Sequence, residues 1–168
     1  MLHLWTESSY CMKITLITVG KTTFDFVKEG MAMYEKRIGR YLSYTRVELP
    51  ALTGTASLSP EVIKEKEANM ILKKFKEGDH IILLDEKGQR YTSTAWAARL
   101  GHLADTGCKS IVFVVGGVYG FHSKVRAAAA ESLSLSDMTF SHQIIRLFFV
   151  EQLYRAMTIL RGEPYHNE

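Results

Sequence analysis

Short apolar segments alternate with longer segments of helical spacing along most of this chain. The apolar segments have the composition of buried strands and cover residues 14–19, 46–49, 79–85, 111–115 and 133–135. The helical spacing covers residues 24–42, 59–76, 92–104, 122–131 and 142–160. Ser59, Pro60 and Glu61 supply an N-cap, a first-turn proline and an acidic first turn for the second helix. We therefore predict an α/β fold, in which helices cover both faces of a parallel sheet.

The last predicted helix, residues 142–160, is apolar nearly all round. Such a helix is buried on two flanks, as in a core element that also forms a subunit interface. Glu151 and Arg155 lie one turn apart, and either form a modest surface ion pair or place Arg155 in a buried or interfacial position. Tyr154 is either a core residue with a satisfied hydroxyl or a substrate contact.

The length of 168 residues fits one domain, which we place at residues 12–168. Residues 1–11 have neither the basic start nor the apolar core of a signal peptide, so we expect a disordered leader or an alternative start. Met12 opens the first predicted strand and is a plausible native start.

Cysteine content and net charge narrow the class of protein further. The two cysteines, Cys11 and Cys108, provide neither a disulfide framework nor a zinc site, so we expect a cytoplasmic protein without a metal. No apolar run approaches the length of about 18 residues that a membrane span needs. A net charge of +3 permits a polyanionic partner without requiring one.

A glycine turn, Val115-Gly116-Gly117-Val118-Tyr119-Gly120, follows the fourth predicted strand. Glycines at the carboxyl end of a parallel strand let backbone amides approach a ligand closely. The spacing matches neither the dinucleotide fingerprint nor the phosphate-binding loop. The turn is therefore either a ligand-binding loop or a tight connection between strand and helix.

Two segments near the carboxyl terminus also carry candidate chemistry. Residues 134–142 mix hydroxyl and apolar side chains; Ser141 is placed to cap the last helix, and the apolar side chains suit an adenine ring. Tyr165 and His166 form either a solvated terminus or a pair that stacks on a base and titrates near neutrality.

Taken together, these motifs resemble the RlmH-type methyltransferases. The matching segments are Met12-Lys13-Ile14-Thr15, Val19-Gly20-Lys21, Val115-Gly116-Gly117-x-x-Gly120, Leu133-Ser134-Leu135-Ser136-x-Met138-Thr139-Phe140-x-His142-Gln143, Glu151-Gln152-Leu153-Tyr154-Arg155-Ala156 and Gly162-Glu163-Pro164-Tyr165-His166. The likeness covers residues 12–166. Ser141 departs from it, since the family usually has proline before the histidine.

The resemblance implies a SPOUT-type parallel sheet with helices on both faces and a C-terminal trefoil knot. It also implies a homodimer packed through the knotted region. The implied reaction transfers a methyl group from S-adenosylmethionine to N3 of pseudouridine 1915 in 23S ribosomal RNA of the assembled 70S ribosome.

The family's functional residues carry over onto two groups of positions. The expected cofactor-binding residues are Leu84, Gly116, Leu135, Ser136, Asp137, Met138, Thr139 and Phe140. The candidates that orient or polarise the target base are His142, Arg146, Tyr154, Arg155 and His166. Our hypothesis is that His166, or a water that it binds, receives the N3 proton.

Three other functions remain open from the residues. One is a methyltransferase of the same fold that acts on another RNA, such as transfer RNA, and another is a non-catalytic ribosome-binding factor. A nicotinamide-dependent enzyme ranks last, because the glycine turn has no matching motif. The modest charge favours an assembled particle over naked RNA. The protomer that supplies the C-terminal tail, and the need for both ribosomal subunits, also stay open.

Overall fold

A computed structural model describes residues 12–166. Strands and helices alternate along this part of the chain in the order β1 (Lys13–Val19), α1 (Asp25–Ile38), β2 (Ser43–Leu49), α2 (Pro60–Leu72), β3 (His80–Arg90), α3 (Ser93–Asp105), β4 (Ser110–Val115), α4 (Ser123–Ala128), β5 (Glu131–Ser134) and α5 (Ile144–Arg161). The predicted alternation is confirmed. Ser59 caps α2 as expected, since its hydroxyl accepts a hydrogen bond from the Val62 amide.

All five strands form one parallel sheet in the order β2-β1-β4-β3-β5. Successive side chains of a strand point to opposite faces, so the sheet builds two cores. Phe113 of β4 packs in the core beneath α1, α3 and α5, whereas Val114 packs in the core beneath α2 and α4. The predicted α/β fold with helices on both faces is therefore confirmed, and the carboxyl ends of all five strands meet at one edge.

Helix α4 is much shorter than the alanine-rich segment 122–131 indicates. It ends at Ala128, and Ala129 has an extended backbone. The amide of Ala130 donates to the carbonyl of Ile81, which leads the chain into β5 beside β3. Pairing with the sheet overrides the helix propensity of the alanines here.

Strand β3 extends past the predicted end at residue 85, because the chain leaves the sheet there and then pairs with β5 again. Its pairing with β5 breaks after Leu84 and resumes at Gln89. Residues 85–88 form this excursion at the carboxyl edge. A side chain at Gly88 would collide with the backbone of Leu133, at 2.7 Å from its nitrogen. Only glycine lets the excursion lie this close to β5.

Helix α5 lies between α1 and α3 on its face of the sheet and begins two residues later than predicted. Its buried side chains, including Phe149 and Leu153, confirm the expected core role. The trefoil knot stays a prediction, and residues 1–11 lie outside the described part of the chain. None of the described helices is long and apolar enough to cross a membrane.

Candidate functional site

A cavity of about 780 Å³ opens at the carboxyl edge of the sheet, beside the ends of β3, β4 and β5. The predicted cofactor residues that line it are Leu84, Gly116, Leu135, Ser136, Met138, Thr139 and Phe140. His142 and Ile145 line the same cavity. The structure thus brings together nearly all of the predicted cofactor-binding residues, from segments about 50 positions apart in the sequence.

The loop between β5 and α5 holds its own shape through its hydroxyl groups. The Ser134 hydroxyl donates to the Ser136 carbonyl at 2.9 Å, and the Ser136 hydroxyl accepts from the Met138 amide at 2.9 Å. Asp137 does not line the cavity; its exposed carboxylate pairs with Arg90 at 2.5 Å. The loop therefore offers backbone and apolar surface to a ligand, and Asp137 ties it to the end of β3.

The opposite wall is the glycine turn after β4. A side chain at Gly116 would press on the Phe121 ring at 3.2 Å, and one at Gly117 would collide with the Glu67 carboxylate. Both positions therefore present backbone to the cavity, which suits a ligand-binding loop. Sequence reasoning missed Glu67, because it lies in a run of alternating Lys and Glu typical of a solvated helix face.

His142 is the candidate catalytic residue that the structure places at the cavity. Burial lowers the pKa of its imidazole, and the positive charge of Arg146 lowers it further. His142 is therefore neutral at physiological pH and able to accept a proton or a hydrogen bond.

Arg146 lies wholly inside the protein. Its guanidinium donates to the carbonyls of Val19 at 2.7 Å and Gly20 at 3.0 Å, and to the Thr22 hydroxyl at 3.0 Å. Its Nε donates to the carbonyl of His142 at 2.9 Å. These bonds join the loop after β1 to the start of α5, so Arg146 positions the histidine from behind the cavity wall.

Gln143 makes a second tie between the same two segments. Its side-chain oxygen accepts from the Thr23 amide at 2.8 Å, and its nitrogen donates to the Lys21 carbonyl at 3.0 Å. Sequence reasoning named Gln143 only as part of a motif. Its partners are 120 and 122 residues away, and no local pattern indicates such a contact.

Arg155, His166 and their neighbours form a second group, which we call the tail cluster: Glu151, Arg155, Tyr165 and His166. Arg155 donates to the Glu151 carboxylate at 2.7 Å and lies 3.4 Å from Nδ1 of His166. Tyr165 donates to the same carboxylate at 3.1 Å. The side chains of Arg155 and Glu151 are only 25% and 19% exposed, so this is a partly buried network and not a plain surface pair.

Aromatic contacts hold the tail cluster against α1. The Tyr154 ring packs edge-on against Tyr165 at 4.8 Å and also contacts Tyr34. Burial raises the pKa of the Tyr165 hydroxyl, and its hydrogen bond with Tyr34 raises it further. Tyr165 therefore stays protonated and acts as a hydrogen-bond donor, and Tyr154 acts here as packing.

The cavity lies at the start of α5, whereas the tail cluster contacts the helix from Glu151 onward. Ile145 lines the cavity, and Arg155 follows ten residues later, roughly 15 Å along the helix axis. One chain therefore does not bring His142 and His166 to the same point. Within residues 12–166, no group of three or more His, Cys, Asp or Glu side chains is placed to hold a metal ion.

Residues 12–166 match the protein family described as "Predicted SPOUT methyltransferase". A Parabacteroides distasonis protein named "Ribosomal RNA large subunit methyltransferase H" is 48% identical over 157 residues, which cover 94% of this chain and 100% of that protein. Proteins of the same name from Cytophaga hutchinsonii and Flavobacterium johnsoniae are each 43% identical, over 93% and 94% of this chain and 100% of their own lengths. The chain therefore belongs to the SPOUT methyltransferase family, in the RlmH group of these relatives.

Proposed function

We propose that this protein methylates N3 of pseudouridine 1915 in 23S ribosomal RNA within the assembled 70S ribosome. The observation that carries the proposal is the near-full-length likeness to relatives named for ribosomal RNA methylation. The protein is a methyltransferase of the SPOUT family, and S-adenosylmethionine is its methyl donor.

The cavity fits this cofactor. Gly116 and Gly117 present backbone on one wall, and Leu135 and Phe140 give the other an apolar surface for an adenine ring. Leu84 lines the cavity at the point where β3 leaves the sheet. We assign the cofactor to this cavity, with Asp137 acting on it only through the shape of the loop.

The bound cofactor supplies an activated methyl group on a positively charged sulfur. The protein's own tasks are to align N3 of the base with that methyl group and to take the N3 proton. His166, or a water it binds, receives this proton, and the positive charge of Arg155 favours the N3 anion. Neutral His142 orients the base at the cavity, and Arg146 holds His142 in place.

The reaction needs the cavity and the tail cluster together, and a homodimer provides both. Exposed apolar side chains lie on both α1 and α5, and we take Phe26, Met33 and Phe148 as the apolar seam of this dimer. Beside the seam, α1 packs so closely on α5 that a side chain at Gly30 would collide with Leu147. In the proposed dimer this seam is buried against a second copy, and the tail cluster of one protomer lies beside the cavity of its partner.

The proposal also covers the domain organisation, the knot and the cellular location. Residues 12–168 form a single domain whose C-terminal segment is threaded as a trefoil knot, as in the RlmH-type proteins that the sequence resembles. The protein acts in the cytoplasm, where ribosomes assemble.

The direct test combines the protein with radiolabelled S-adenosylmethionine and 70S ribosomes from cells that lack this modification. We expect label at one pseudouridine of 23S RNA, mapped by mass spectrometry of RNA fragments. Parallel reactions with separated subunits and with transfer RNA identify the substrate. Label in transfer RNA alone would support the same-fold alternative, and ribosome binding without cofactor binding would support the non-catalytic factor.

A further inference from the structure

Glu67 of α2 is a buried carboxylate that the proposed mechanism does not use. The residue is 8% exposed, and its Oε2 has no hydrogen-bond partner among the described residues. An unpaired buried carboxylate is costly, so proteins seldom keep one without a use. Burial raises the pKa of this group, and no neighbouring charge lowers it.

The carboxylate lies directly behind the cavity wall. Its oxygens are the atoms closest to the position that a side chain at Gly117 would occupy, and Gly117 lines the cavity. Only the backbone of the glycine turn separates Glu67 from a ligand in the cavity. Because Glu67 is largely shielded from water, its charge is less screened over this short distance than a surface charge would be.

The charged groups on the surrounding elements are already engaged with one another. On α2, the Glu61 carboxylate pairs with Lys64 at 2.5 Å and lies 3.4 Å from the His122 imidazole. On α4, Lys124 pairs with Glu65 at 2.7 Å, and Arg126 pairs with Asp85 of β3. Tyr119 of the glycine turn is exposed. No ion pair joins any of these groups to Glu67, so its charge is available to a cationic ligand.

We propose that Glu67 is a positioning residue that makes the cavity selective for the positively charged sulfonium cofactor over its uncharged thioether product. The charge of the carboxylate acts across Gly117 on the ligand's sulfur. S-adenosylmethionine and S-adenosylhomocysteine differ in the methyl group and in this charge, so Glu67 attracts the first and is indifferent to the second. Product release then follows from loss of the charge on methyl transfer. This inference rests on the proposed placement of the cofactor.

Proton linkage gives the proposal a signature that packing alone does not produce. A cation nearby stabilises the charged form of Glu67, so cofactor binding lowers its raised pKa and releases a proton. The affinity for S-adenosylmethionine therefore rises as the pH rises through the pKa of Glu67 in the free protein. The affinity for S-adenosylhomocysteine lacks this contribution.

The experiment measures both affinities by calorimetry for wild type, Glu67→Gln and Glu65→Gln. Glu65 is the matched control, because it lies on the same helix but is exposed and paired with Lys124. We expect Glu67→Gln to weaken S-adenosylmethionine binding about tenfold while S-adenosylhomocysteine binding stays within about twofold. The control should change neither. Titrations at a series of pH values above the ordinary carboxyl pKa of 4.5, in buffers of different ionisation enthalpy, should show a proton released on cofactor binding by wild type but not by Glu67→Gln.

Equal weakening of the two ligands in Glu67→Gln would make Glu67 a structural support and overturn the proposal. The proposal would also be overturned if wild type binds the cofactor without releasing a proton. This measurement needs only the wild-type protein, so it is informative even if the variant does not fold. A wild-type protein that binds neither ligand would instead overturn the cofactor assignment itself. Thermal melting of each variant shows that the fold is intact.

Discussion

Arg146 shows how burial decides what a charged residue does. Four hydrogen bonds, three of them to backbone carbonyls, occupy the guanidinium between the loop after β1 and the start of α5. Burial lowers the pKa of the guanidinium, and the Glu48 carboxylate counteracts this. Arg146 serves the site by holding His142 at the cavity, and its proposed contribution to the reaction is indirect.

Arg146→Met should therefore destabilise the protein strongly. The change leaves the carbonyls of Val19 and Gly20 buried without their donors, and we expect a loss of about 2–4 kcal/mol in the free energy of unfolding. Urea unfolding at one fixed protein concentration measures it. Arg40→Met is the control, since Arg40 is exposed. A loss no larger than the control's would show that the ties are not needed for the fold.

His166→Ala tests the residue proposed to take the proton. We expect single-turnover methylation of ribosomes to slow by about 100-fold, because general base catalysis typically contributes at least that much. Calorimetric affinity for S-adenosylmethionine should not change, since His166 is proposed to act on the N3 proton of the base and does not line the cavity assigned to the cofactor. His102→Ala, at an exposed position of α3, is the control. An unchanged rate in His166→Ala would remove His166 from the mechanism.

At the scale of elements, the amino edge of the sheet is held by charge and not by apolar packing alone. Glu131 begins β5, and it bonds to His80 of β3 at 2.6 Å and to Arg99 of α3 at 2.9 Å. Burial raises the pKa of Glu131, but the hydrogen bonds and charges of Arg99 and His80 outweigh it, so the pKa lies below its ordinary value. These bonds fasten the edge strand that frames the cavity at its other end.

Glu131→Gln should accordingly lose stability in a pH-dependent way. A depressed carboxyl pKa contributes stability that is present above the ordinary value of 4.5 and disappears as the pH falls through the folded-state value. We expect a loss of about 1–2 kcal/mol at pH 7 relative to wild type. The difference should narrow as the pH falls below 4.5. Urea unfolding midpoints across this pH range measure the stability difference, and Glu29→Gln, at an exposed position, is the control. A stability difference that stays constant with pH would contradict the expected effect of the lowered Glu131 pKa.

At the scale of the whole molecule, the proposed mechanism needs a dimer, because one chain holds the cavity and the tail cluster at different levels of α5. Phe148 of α5 is 46% exposed and stacks at 4.7 Å on Phe140 of the proposed cofactor loop, residues 135–140. The proposed dimer seam therefore adjoins the cavity. Contacts across it would order the cofactor loop and supply the tail cluster in one event.

Phe148→Glu should separate the protomers, because it places charge in the apolar seam. Sedimentation should show a dimer for wild type and a monomer for the variant, with loss of methylation. Val62→Glu, an equally apolar-to-charged change at an exposed residue of α2, is the control and should remain dimeric. A dimeric Phe148→Glu protein would place the interface elsewhere.

Mixing two inactive variants tests whether the tail acts across the dimer. Gly117→Val distorts the glycine turn that forms one cavity wall, because its side chain collides with the Glu67 carboxylate. His166→Ala removes the proposed proton acceptor. If the tail of one protomer acts at its partner's cavity, a mixed dimer contains two different sites. One site combines both substitutions, and the other has an unaltered cavity and an unaltered tail. Random re-pairing should restore about a quarter of wild-type methylation. No recovery after re-pairing would place each tail in its own chain's site.

The order of the elements was determined by the sequence, since the signals for it are local. Apolar runs of strand length, helical spacing and the cap at Ser59 each depend on residues within a turn or two. The same locality explains the error at α4, where alanines indicate a helix and long-range pairing with β3 decides otherwise. Motif likeness named the cofactor-binding residues, and nearly all of them line one cavity.

Other features were decided only by the tertiary structure, because they join residues far apart in the chain. The sheet order, the Arg146 ties across more than 120 residues and the contact of Glu67 with the glycine turn leave no local pattern. The sequence also has no local pattern that shows which candidate residues lie at the cavity and which lie in the tail cluster. A linear motif gives the residues of a site, and only packing gives the distances between them.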